Sequence, residues 1–153
     1  MKKNHLISAV VLLALVLYFR PMPFPELSFE DVDNLNIHKV DLVIAAGRPH
    51  MTSTTYSFAE GSPEAEAIGN ILERYSYRRS LRSLIRVTDI SGNDAGFFLH
   101  LWGDDLYLSS GGTGEIVVND RTFRMGLFGN QKNLTFMEEI SAVLAEAEPV
   151  EDS

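Results

Sequence analysis

The first hydrophobic block of the chain has no polar face. From Leu6 to Phe19, fourteen residues run without a charge, behind Lys2 and Lys3 and ahead of Arg20. A helix of that length reaches about 21 Å, short of the roughly 30 Å hydrocarbon core of a bilayer. A charged start and a short apolar run also describe a cleavable signal peptide. Cleavage needs small residues just beyond the run, and Leu17, Tyr18, Phe19, Arg20, Pro21 and Met22 offer none. Tyr18 and Phe19 suit a membrane–water interface instead. The expectation is an uncleaved signal anchor over residues 1–20, crossing the cell membrane once through residues 6–19. The lysines then stay in the cytoplasm and the body is extracytoplasmic. Release by cleavage is the alternative. "RPMPFPE" opens an extended Pro-rich and acidic spacer over residues 21–34, because its alternating prolines exclude helix.

Beyond the spacer the periodicity changes. Leu27 to Asn36 mixes acidic and apolar residues and fits at most a short helical turn. "NIHKVDLVIAAG" predicts a strand, "RPH" a turn, and "MTSTTYSF" the hairpin partner. "GSPEAEAIGNILERYSYRRS" predicts a helix. Ser62 is its cap, Pro63 its first residue, and Ala65, Ile68, Ile71, Leu72 and Tyr75 its apolar stripe. Short alternating segments follow: "SLIRVTDI", "GFFLHLWG", "LYLSS", "EIVVN" and "RTFRMG". Their breaks are "SGNDA", "DD", "GGTG" and "ND", the last a candidate tight hairpin turn. "NLTFMEEISAVLAEAE" predicts a closing helix. Thr135 and Glu138 form a capping box there, and Phe136, Met137, Ile140, Val143, Leu144 and Ala147 share one face. The expected fold class is α+β: a hairpin, a helix, a β-meander and a C-terminal helix, with the helices packed on one face of an antiparallel sheet. The domain spans residues 35–148, and residues 149–153 form an acidic tail.

Charge narrows the partners. The first twenty residues hold three basic residues and no acid, so the remainder carries ten basic and 21 acidic residues, a net charge of −11. Such a body is repelled by phosphate backbones, so nucleic acid is not an expected partner. Cysteine is absent, which removes disulfides, thiolate metal sites and cysteine nucleophiles together.

The order of elements, with "NILERYSYRRSL", "LHLWGDDLYLSSGG" and "GEIVVNDRTFRMG", resembles small membrane-anchored extracytoplasmic domains of unknown function found in Gram-positive bacteria. The resemblance covers roughly residues 35 to 145. It implies a location and an architecture, and it carries over no functional residue. Many such relatives bear a lipid-modified cysteine, which this chain lacks.

Candidate chemistry is sparse. "SSGGTGE" looks like a phosphate loop but lacks the G-K-[ST] ending and a following helix, so a hairpin turn is its simpler use. His100, Asp104 and Asp105 would need a further convergent ligand to hold a metal. No G-x-S-x-G elbow is present. Asn133 begins an N-x-T sequon that also serves as a helix-start signal. No cofactor is expected, and the chain reads as non-catalytic, with a small envelope hydrolase as the alternative. Five of the nine arginines, Arg74, Arg78, Arg79, Arg82 and Arg86, fall in "RYSYRRSLRSLIR". They either balance the helix dipole and nearby acids or dock an anionic partner. "GFFLHLWG" sets Phe97, Leu99 and Leu101 against Phe98, His100 and Trp102. Either both faces are covered or one displays aromatics. The candidate binding face is Arg82, Arg86, Phe98, His100, Trp102 and Tyr107, rich in the residue types enriched at interfaces. Its expected partner is an envelope protein or an anionic polymer.

Overall fold

The computed structural model describes residues 2–24, 36–45, 51–80, 97–126 and 129–150. Among them the chain forms α1 (Lys2–Tyr18), β1 (Ile37–Ala45), β2 (Met51–Ser57), α2 (Pro63–Arg74), β3 (Tyr77–Arg79), β4 (Phe97–Gly103), β5 (Tyr107–Ser110), β6 (Glu115–Val118), β7 (Arg121–Met125) and α3 (Gln131–Leu144). The class is α+β. All seven strands join one antiparallel sheet in the order β2-β1-β4-β5-β6-β7-β3.

One face of this sheet carries the core. Val40, Leu99, Leu101, Leu108, Ile116, Phe123, Met125 and Tyr77 meet Ile68, Ile71 and Leu72 of α2 and Phe136, Met137 and Ile140 of α3. Helix α2 starts as its sequence dictates: Pro63 opens it, and the Ser62 hydroxyl accepts from the Ala65 amide at 3.2 Å. It ends earlier than its apolar stripe predicts. Tyr75 turns extended, and Tyr77–Arg79 becomes a strand on β7 instead of further helix. Burying the Tyr77 ring in the sheet, with its hydroxyl donating to the Leu72 carbonyl at 2.9 Å, outweighs another helical turn. The "SLIRVTDI" segment lies outside the described residues.

Helix α3 corrects a second expectation. It begins at Gln131, not near Thr135, and the Thr135 hydroxyl bonds back to the Gln131 carbonyl at 3.1 Å inside the helix. Asn133 is therefore not a glycan acceptor on the surface. It is fully buried, donating to the Ser110 hydroxyl at 2.8 Å. The Asn119-Asp120 pair makes the β6–β7 turn with both residues at positive φ, as a two-residue hairpin requires. "SSGGTGE" runs from β5 into β6, with Gly112 and Gly114 at positive φ.

The segment expected to be a spacer is partly core. Residues 21–24 alternate in burial: Pro21 and Pro23 face solvent, while Met22 and Phe24 are 4% and 2% exposed. Met22 pairs antiparallel with Tyr77 through backbone bonds of 2.7 and 2.9 Å. The prolines, lacking N–H groups, fit the open side of this sheet edge. Residues 25–34 lie outside the described residues.

Helix α1 spans 17 residues, about 26 Å, and from Leu6 onward it carries no charge and no polar face. Among the described residues no helix is long and apolar enough to cross a membrane.

Candidate functional site

Strand β4 sorts its residues by parity. Leu99 and Leu101 are fully buried beneath the helices, and Phe98, His100 and Trp102 point to the opposite face. Register then selects their neighbours. Trp102 sits across from Tyr107 of β5 and Lys39 of β1, His100 across from Ser109 and Asp41, and Phe98 across from Val43. Tyr107 thereby joins β4's outward row, and all four aromatic residues are half-buried.

The rings contact one another. His100 and Tyr107 stack at 6.2 Å and 17°, Trp102 and Tyr107 lie at 5.6 Å, and His100 and Trp102 at 5.9 Å. The Lys39 ammonium lies 4.6 Å from the Trp102 centroid and 3.3 Å from the Asp41 carboxylate. Asp41 accepts from the Thr55 hydroxyl at 2.8 Å. His100 Nδ1 and the Tyr107 hydroxyl share a hydrogen bond of 3.1 Å. Burial pushes the His100 pKa below its ordinary value, and the Asp41 carboxylate partly opposes that shift. The shift favours the neutral imidazole. Asn119 holds the site from behind, accepting from the Tyr107 amide at 2.7 Å and donating to the Asp105 carbonyl at 2.8 Å.

Ser109, His100 and Asp41 occupy one cross-strand row. Among the described residues no hydrogen bond links His100 to Ser109 or Asp41, because Tyr107 and Thr55 take those places. His100 and Asp104 do not converge on a common site. Asp104 lies in the β4–β5 turn, where Asn36 donates to it at 3.1 Å and His38 approaches to 3.7 Å. Along α2 runs an open groove of about 420 Å³, whose acids Glu60, Glu66 and Glu73 are exposed.

The arginine-rich stretch divides. Arg74 pairs with Glu139 at 3.0 Å beside α3. Arg78 and Arg79 lie on β3, and Arg82 and Arg86 lie outside the described residues. Sequence reasoning missed Lys39 and Asp41, although "KVDLV" alternates and marks both as outward. It also missed Asn119 as the support of Tyr107, which only the folded turn reveals. Comparison with family models, curated proteins and solved structures finds no match.

Proposed function

We propose that the chain is a membrane-anchored, non-catalytic binding or accessory module that docks a partner on the face formed by Phe98, His100, Trp102 and Tyr107. One observation carries the reading: three aromatic rings, His100, Trp102 and Tyr107, meet half-buried on the sheet face opposite the helices, with Phe98 in the same outward row. A solvated sheet face ordinarily carries polar residues. Aromatic rings with a neighbouring cation instead resemble the centres of protein interfaces. A flat platform of this kind suits binding better than chemistry, which needs polar groups converging in a concavity.

Anchoring rests on α1. Nine large apolar side chains between Leu6 and Leu17 are 49–68% exposed, a surface that water does not sustain. The apolar run of residues 6–19 is about 9 Å shorter than a typical hydrocarbon core, a mismatch that bilayer thinning absorbs at a fraction of a kcal/mol per Å. Inserting nine such residues returns roughly 3–5 kcal/mol, which offsets a mismatch of that size. Lys2 and Lys3 favour an N-in orientation, with the domain on the extracytoplasmic side. Retention is supported by residues 22–24, since cleavage beyond Pro21 would remove Met22 and Phe24 from the core.

The test is a pull-down from detergent-solubilised membranes with the full chain and its Trp102→Ala variant. A partner captured by the native chain and lost by an equally folded variant supports the reading. Identical capture by both refutes the assigned face. A mature N-terminus near Pro21 to Phe29 refutes the anchor.

A further inference from the structure

Helix α1 ends against the β3 edge of the sheet, and that junction is cationic. Arg78 and Arg79 are consecutive in β3, so they project to opposite faces and straddle the helix end. The Arg78 guanidinium donates to the Phe19 carbonyl at 3.1 Å, and the Arg79 guanidinium lies 5.1 Å from the Tyr18 ring. Exposed Arg20 follows directly. The last turn of α1 has no basic residue of its own, so the domain supplies the cation that its C-terminal carbonyls favour. β7 sets Arg124 directly across from Arg78, with Glu115 of β6 across from Arg124 on its other side. Only three residues separate Tyr18 from Met22, which is already part of the core, so helix and domain are closely coupled.

We infer that Arg20, Arg78 and Arg79 form a clamp for phospholipid headgroups, standing the sheet on its β3 edge at an anionic membrane surface. The inference rests on the membrane reading of α1. Tyr18 and Phe19 mark the interface, which puts the three guanidinium groups at phosphate level. The Arg78 bond to Phe19 uses one of five guanidinium N–H groups, and the planar fork suits phosphate oxygens. The body is strongly acidic overall and is repelled by the same surface, so among the described residues this cationic edge is suited to face it. Strand spacing then places β4, four strands away from β3, about 19 Å along the sheet, and β2 about 29 Å away. The aromatic face is thereby held at a fixed height above the lipid.

Trp102, the single tryptophan, reports this height. The full chain is reconstituted in vesicles of phosphatidylcholine, with or without phosphatidylglycerol, and energy transfer from Trp102 to dansyl-labelled headgroups is measured. Transfer should be higher in the anionic vesicles. High salt should remove the difference by shortening the screening length. Each arginine at an anionic surface contributes a factor of about five, so Arg78→Glu with Arg79→Glu should lower the docking equilibrium constant more than about 25-fold. Lysine at both positions should restore most of the transfer. Arg79→Glu alone leaves the Phe19 bond intact and should give a partial loss. Equal transfer in both lipids, with the chain still floating with the vesicles, overturns the clamp. Failure to float with either lipid overturns the anchor instead.

Discussion

Replacing Phe24 by alanine tests whether the segment after α1 belongs to the domain. Phe24 is 2% exposed and packs edge-on against Tyr77, with ring centroids 5.5 Å apart. Tyr77 is itself fully buried and ties the C-terminal end of α2 to the sheet. A buried phenylalanine removes about 150–200 Å² from water, about 4–5 kcal/mol at 25 cal/mol/Å². Phe→Ala substitutions in cores cost about 3–5 kcal/mol. Against a total stability of about 5–15 kcal/mol, the loss should be large. Urea unfolding of the full chain in detergent, followed by circular dichroism, reads it as a lower midpoint with an unchanged slope. Pro23→Ala, at an exposed position one residue away, is the control and should stay within about 0.5 kcal/mol. A Phe24→Ala cost below about 1 kcal/mol would refute the packing of residues 21–24 into the core.

Gly114 has φ +86, and a Cβ there would lie 2.5 Å from the Gly129 carbonyl oxygen, so Gly114→Ala should cost about 2–4 kcal/mol in the same titration. Gly129 has positive φ but open space around its Cβ, so Gly129→Ala should cost only about 1 kcal/mol. His100 has a folded-state pKa below its unfolded value of about 6.5, so the unfolded chain takes up the proton first on acidification. Stability should fall as pH drops through about 6.5 and level off below the folded pKa, and His100→Gln should remove that component of the thermal-melt profile. A His100 component that rises on acidification would show that the Asp41 attraction outweighs burial.

The sequence reveals features whose causes are local. The Ser62-Pro63 start of α2 needs only a capping hydroxyl and a fixed φ. The Asn119-Asp120 turn needs two residues that tolerate positive φ. The parity of Phe98, His100 and Trp102 follows from the period of a strand. Features set by distant partners are not visible in the same way. Tyr75 extends the helical stripe, yet the chain leaves the helix there because β7 offers Tyr77 a buried place in the sheet. Thr135 and Glu138 match a capping box, yet burying Asn133 against Ser110 draws the helix start back to Gln131. Trp102 meets Lys39 and Tyr107 through register, which no local pattern fixes. Arg78 reaches Phe19 across 59 residues. The Met22–Phe24 packing had a local sign, since "PMPF" alternates with period two, but the prolines read more simply as a spacer.

Binding through this face requires that Trp102 serve the surface and not the core. Thermal melts and partner capture, measured together for Trp102→Ala, test this directly. Trp102 is half-buried and holds one cation–π contact, so truncation should cost no more than about 2 kcal/mol while abolishing capture. A loss of about 3–5 kcal/mol, as for a core tryptophan, with capture unchanged in the molecules still folded, would contradict it.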